Sequence, residues 1–152
     1  MRITDFLKAE NCVASIASSE KEQALRELAG AVDRLGLDQE TVLAALMERE
    51  RLCSTGIGGE VAIPHAKIKG LPSLAAAFGR SERGVDFSSM DNKPVKWIFL
   101  LLASDGASAV HLKALARISR LMKSKELRER MDAARTGEEL FKILKEEDEK
   151  LG

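Results

Sequence analysis

The sequence predicts an α/β domain with helices on both faces of its sheet, and three observations predict it. Val95 to Ala103 is a nearly unbroken apolar run of strand length, the pattern of a strand covered on both sides. Segments with apolar residues at helical spacing precede and follow it. Between them lie short strand-like stretches bounded by glycine and proline, so strands alternate with helices. A chain of 152 residues is long enough for one substantial core and short for two. Residues 1–152 therefore read as a single domain, without an internal repeat or an interdomain linker.

From the N-terminus, Ile3 to Leu7 reads as a short helical turn begun at Thr4 or Asp5, and Cys12, Val13 and Ile16 as a short edge strand. Ser19 and Glu22 have the spacing of a capping box, followed by Leu25, Leu28, Ala29, Val32 and Leu35 at helical spacing until Gly36. Asp38 can cap a second helix with Val42, Leu43, Leu46 and Met47 on one face, running out around Arg49 to Arg51. The turn holding Thr55, Gly56, Gly58 and Gly59 fits neither helix nor regular strand. Strand character resumes at Val61. Pro64 lacks an N–H and holds Ile63 extended, so the ladder is expected to stop there and leave His65 presented at a strand end.

Beyond it, Leu74 to Gly79 reads as a strand of small residues, Asp91, Asn92 and Pro94 as a turn, and Val95 to Ala103 as the central strand. Ser108 can cap a helix in which His111, Leu115, Ile118 and Met122 share one stripe, so His111 lies in the first turn and faces inward. Ser124 can begin a short helix through Leu127 and Met131. Thr136 and Glu139 have capping-box spacing for a last helix carrying Leu140, Phe141, Ile143 and Leu144. Its tail, KEEDEK, reads as a solvated face.

Composition excludes several functions. The 24 basic and 24 acidic residues cancel, and no block of lysine and arginine could neutralise a phosphate backbone, so nucleic acid is not an expected partner. The absence of tyrosine and the single tryptophan disfavour a base-stacking platform. The longest apolar run, Trp97 to Ala103, is too short to cross a bilayer, and the N-terminus lacks a signal-peptide pattern. A cytoplasmic protein without membrane insertion is expected. Cys12 and Cys53 are too few and too distant for a disulfide framework and are expected to be reduced and packed.

Loops at strand ends are where α/β folds place their sites. The candidate site gathers Arg49 at a helix end, the glycine turn, His65, and His111 at a helix start. These parts suit phosphoryl transfer through a phosphohistidine. A neutral imidazole nitrogen can attack phosphorus, and a guanidinium such as that of Arg49 can neutralise charge on the phosphoryl oxygens. A helix N-terminus biases His111 toward its neutral form, able to hydrogen-bond without adding charge. Backbone N–H groups of the turn could cradle oxygens. Against this stand the ordinary readings, in which a histidine on an apolar stripe is a core residue and a glycine-rich turn is only a turn.

The stretch RERLCSTGIGGEVAIPHAK, then GVDFSSMDNKPVKWIFLLLAS, then HLKALARISRLM resemble, in order and at compatible spacing, the motifs of the enzyme IIA domains of the fructose and mannitol class of the bacterial sugar phosphotransferase system. That class includes the nitrogen-related regulatory proteins. The resemblance covers almost the whole chain and implies a mixed sheet flanked by helices and no cofactor. It also implies phosphate accepted from HPr or an HPr-like phosphocarrier and passed to an enzyme IIB or a regulatory target. The histidine after Ala-Ile-Pro matches His65, the arginine of the Arg-Glu pair matches Arg49, and the histidine opening the later helix matches His111. Ser54, Thr55 and Gly56 also match, as phosphate-binding candidates for which a turn-capping role is the alternative. The chain departs from the pattern at Glu60, where a small residue is usual, and this carboxylate is expected to point outward.

Two other classes are compatible with parts of the sequence. One is a purely regulatory binding protein of the nitrogen-related branch, whose phosphorylation state selects its partners. The other is a metal site made of Cys12, Cys53, His65 and His111, whose wide spacing lacks the short paired intervals of structural zinc sites.

Overall fold

The computed structural model describes residues 1–32 and 36–152. Two 3₁₀ turns, Ile3–Asp5 and Ala9–Asn11, lead into β1 (Cys12–Val13), α1 (Lys21–Ala31) and α2 (Gln39–Leu52). Then come β2 (Gly56–Gly58), β3 (Val61–Ala62), β4 (His65–Ile68), β5 (Ala75–Val85) and β6 (Val95–Ser104), followed by α3 (Ser108–Met122), α4 (Lys125–Asp132) and α5 (Gly137–Lys150). The sheet runs β1-β5-β6-β3-β2, with β4 also paired to β6. It is mixed: β1 runs parallel to β5, β3 and β4 run parallel to β6, and β5 pairs antiparallel with β6.

The predicted central strand is β6, and its alternation explains the two-faced core. Ile98, Leu100 and Leu102 pack with Leu25, Leu28, Val42 and Leu46 of α1 and α2. Trp97, Phe99 and Leu101 point the other way, into a cluster with Ile118 and Met122 of α3, Met131 of α4 and Leu140 of α5. Side chains of a strand alternate between faces, so an unbroken apolar run requires cover on both sides.

One edge of β6 carries two short strands in line, Val61 and Ala62 opposite Trp97 and Ile98, then His65 to Ile68 opposite Leu101 to Ser104. Between them the ladder breaks at Ile63 and Pro64, although the Pro64 carbonyl still accepts from Leu101 N–H at 2.9 Å. The ladder was expected to stop at Pro64. It instead resumes at once, and His65 is the first residue of the new strand. Proline cannot donate to the neighbour, which accounts for the break and not for an end.

Several local expectations are corrected. The glycine turn contains a short strand, β2, paired to β3 across an irregular register between Gly56 and Gly58. Gly58, Gly59 and Glu60 then take successive positive φ of 89°, 63° and 67°, which explains the glycines and makes Glu60 the strained exception. Strand β5 runs on to Val85, well past the expected end at Gly79. Helix α1 starts after Glu20 with no side-chain cap, so Ser19 is not its cap. The N–H groups of Ala17 and Ser18 are instead bound by the Glu27 carboxylate at 3.0 Å. The helix ends at Ala31, with Val32 as its cap, and Leu35 lies outside the described residues. Asp38 precedes α2 but accepts from the Thr41 hydroxyl at 2.8 Å, not from a backbone N–H. Ser108 is the first residue of α3 and not its cap. Ser124 caps α4 as expected, accepting from Leu127 N–H. The Thr136 box is half formed, since Thr136 accepts from Glu139 N–H but the Glu139 carboxylate takes Arg135 N–H. Cys12 is buried, which pushes its thiol up to about 12, whereas Cys53 is exposed and not packed.

The KEEDEK tail is a solvated face only in part: Lys145, Glu149 and Lys150 are exposed, but Glu147 and Asp148 are buried. Asp148 is 1% exposed and accepts from Ile3 N–H at 3.0 Å and from Arg117 Nε at 2.6 Å. Glu147 is buried too and accepts from Arg130 at 2.9 Å. A carboxylate this enclosed needs its charged partners, and removing its charge strands the arginine. Asp148→Asn is therefore expected to lower unfolding stability by about 2 kcal/mol, measured by urea denaturation. A change below about 0.5 kcal/mol would place this contact among ordinary surface substitutions.

Candidate functional site

His65 opens β4 directly after Pro64. Its Nδ1 lies 2.8 Å from the Ile63 carbonyl oxygen. A carbonyl can only accept, so Nδ1 carries the proton and the lone pair of the neutral ring sits on Nε2. The Ile63 N–H in turn donates to the Thr55 carbonyl at 3.0 Å. Thr55 is held by Glu50, whose carboxylate accepts from the Thr55 hydroxyl and, at 3.2 Å, from its N–H. Lys21 supplies the counter-charge to Glu50 at 3.0 Å. A continuous hydrogen-bonded line thus runs from helix α1 to the His65 ring.

His111 enters from the first turn of α3, buried as its stripe position predicts. The two imidazoles meet edge to face with centroids 5.3 Å apart, and His111 Nε2 is buried without a hydrogen-bond partner among the described residues. Arg49, at the end of α2, donates to the Cys53 carbonyl at 2.8 Å. Arg49, His65 and His111 share one open cavity of about 410 Å³ with Ala45, Glu48, Leu52, Ala66 and Lys67. The sequence placed these three residues together, and the structure brings them to one surface.

Ser54, Thr55 and Gly56 do not line this cavity. The Ser54 hydroxyl donates to the Phe87 carbonyl and accepts from Gly56 N–H at 3.1 Å. The Thr55 hydroxyl is committed to Glu50. Glu60 is exposed and borders a separate depression with Lys96, Lys125, Arg128 and Asp132, away from His65. Cys12 is on β1, at the opposite edge of the sheet from β2. Among the described residues no group of three His, Cys, Asp or Glu could hold a metal. No helix among them is long and apolar enough to cross a membrane.

Glu50 was not singled out from the sequence, yet a signal was present. It falls at helical spacing after Val42 and Leu46, on the buried stripe, where an acidic residue must have a partner. Lys67 was missed as well, although it lies two residues beyond His65 and so on the same strand face.

Both histidines are held below the ordinary 6.5. For His65, burial is the main cause and is opposed by the Ile63 hydrogen bond, with Arg49 lowering and Glu50 raising it further. For His111 the causes are burial, then the charges of His65 and Lys67. Both rings are therefore neutral at pH 7. The unfolded chain binds more protons than the folded one between the folded values and 6.5. Stability is thus fully present above 6.5 and is lost as pH falls from there through the folded-state values. An NMR titration of the ring protons is expected to show both midpoints below 6.5; a midpoint above it for either ring would contradict this assignment.

Comparison with known proteins identifies the family of the chain. Residues 5–147 match the family described as "Phosphoenolpyruvate-dependent sugar phosphotransferase system, EIIA 2". The chain is 41% identical over 145 residues to a nitrogen regulatory protein of Bradyrhizobium diazoefficiens, covering 95% of each. It is 37% identical over 150 residues to the fructose-specific EIIABC component of Bacillus subtilis, spanning 97% of this chain and 24% of that one. In fold it is similar to the crystal structure of nitrogen regulatory protein IIA-Ntr from Neisseria meningitidis, with a TM-score of 0.87 and 31% identity over 93% of this chain and 98% of that one. A neutral, tautomer-fixed histidine beside an arginine on a mixed α/β sheet is thus set in a chain that matches throughout its length, and the chain belongs to the EIIA 2 family of phosphotransferase-system phosphocarrier domains.

Proposed function

We propose that His65 is the phosphate acceptor, that HPr or an HPr-like phosphocarrier is the donor, and that the reaction takes place in the cytoplasm. The observation that carries this reading is the Nδ1 contact to the Ile63 carbonyl, which leaves the Nε2 lone pair available. In the transfer, Nε2 forms a bond to phosphorus as the donor's N–P bond breaks and its electron pair returns to the donor ring. Arg49 stabilises the charge on the equatorial oxygens, and His111 Nε2, when it carries its ring's proton, donates to one of them. The phosphoryl group then moves to an enzyme IIB.

A second reading has its own support. The nitrogen regulatory relative matches over nearly its full length, which favours a protein whose phosphorylation state selects partners. Transfer assays separate the two, because a pure signal does not pass its phosphate to any enzyme IIB.

Incubated with phosphoenolpyruvate and the general phosphotransferase proteins, the wild type is expected to take up one acid-labile, base-stable phosphate per chain. His111→Ala is expected to take up the same amount but to deliver it onward about tenfold or more slowly, having lost one oriented donor. Normal delivery by that variant would reduce His111 to a core residue, and an acid-stable label would exclude a phosphohistidine altogether.

A further inference from the structure

We infer that Lys67 is a second cationic ligand of the phosphoryl group on His65, reaching it by leaving the Ser108 hydroxyl. The inference rests on the reading of His65 as the acceptor and concerns a residue with no role assigned so far. Lys67 shares the strand face of His65 and lines the same cavity as Arg49 and His111. Its Nζ donates to Ser108 Oγ at 3.0 Å, at the start of α3. That is the positive end of the helix dipole, where an ammonium is unfavourably placed. Among the described residues no carboxylate forms an ion pair with Lys67 or Arg49. The carboxylate on the cavity wall, Glu48, is paired with Arg51 at 2.6 Å.

Arg49 and Lys67 therefore line a cavity that also holds two imidazoles and whose one carboxylate, Glu48, is paired with Arg51. His111, 6% exposed, adds a ring nitrogen without a partner. A group that fits all of these is a dianionic phosphoryl with three acceptor oxygens. Arg49 approaches from the end of α2, so its planar fork can hold two of the oxygens. Lys67 approaches from β4, as a mobile point charge on the third. The exposed Lys67 side chain is free to make this short swing because its present partner is a neutral hydroxyl.

The test uses the full chain, phosphorylated by its phosphocarrier donor, with Lys67→Met and Lys67→Arg alongside. Lys67→Met is expected to accept phosphate about tenfold more slowly at saturating donor, with KM for the donor unchanged. In phosphorus NMR of the isolated phosphoprotein, its phosphoryl group is expected to ionise at higher pH than in wild type, and Lys67→Arg to restore most of both properties. Wild-type rate and phosphoryl ionisation in Lys67→Met would overturn the inference and leave His65 in place. A raised KM with unchanged phosphoryl ionisation would overturn it in favour of a contact with the donor protein. Absence of label on the wild type would overturn it together with the acceptor assignment.

Discussion

His65→Ala is expected to reduce phosphate uptake from one group per chain to none. Among the described residues, His111 is the other imidazole of the cavity. His111 is more deeply buried, and nothing fixes its tautomer in the way the Ile63 carbonyl fixes that of His65. Removing the imidazole leaves that carbonyl without its side-chain partner, a loss of at most about 1 kcal/mol. The variant should therefore fold. Labelling with phosphoenolpyruvate as source, read beside a circular-dichroism melt, checks both halves of the expectation. Full labelling of a folded His65→Ala protein would move the acceptor elsewhere, with His111 the first residue to examine.

Arg49→Gln is expected to slow phosphoryl transfer by about 10²–10³-fold, the range seen when a preorganised charge or donor is taken from a transferring group. The guanidinium already gives one N–H to the Cys53 carbonyl, which anchors it at the cavity rim. Its remaining N–H groups are the ones assigned to the phosphoryl oxygens. Lysine at this position should recover only part of the rate, because it restores a charge without the planar pair of donors. The competing explanation is that Arg49 serves its own helix end, where a cation and a bond to a terminal carbonyl are mildly favourable. On that view glutamine costs at most about 1 kcal/mol of stability and no rate. Rapid-quench kinetics and a thermal melt give opposite answers for the two: a lowered melting temperature with normal transfer would remove Arg49 from the chemistry.

What the sequence made legible was whatever local physics determines. The run Val95–Ala103 could only be a doubly covered strand, and it became β6. The stripe of α3 had to turn His111 inward, whereas Pro64, expected to end the ladder, only interrupted it and left His65 at the head of β4. The failures share a different cause. Ser19 and Ser108 had the composition of helix caps, but the N–H groups just before α1 are bound by Glu27 of that same helix, and the Ser108 hydroxyl accepts from Lys67 of β4. Thr55 left a ligand-binding and a structural role open, and its hydroxyl is bound by Glu50, an acid on the buried side of α2. Glu147 and Asp148 sat in a run of charges that resembles solvent-facing surface, and only contacts with Arg117 and Arg130 on other helices show otherwise. The end of β5 was hidden by Arg80, Ser81, Glu82 and Arg83, residues too polar to suggest a strand by period alone.

The fastening of Asp148 to the Ile3 amide spans a sequence separation of 145, nearly the whole chain. A contact of that kind closes one of the longest loops in the chain, so its entropic cost is expected to be met late in folding. Interactions that form after the transition state do not hasten the approach to it; they slow the escape from the native basin. Weakening the Asp148 fastening should thus leave the refolding limb of a chevron almost where it was and raise the unfolding limb. The two ends of the domain act as a latch, and its strength sets how long a folded molecule stays folded more than how quickly a new one forms.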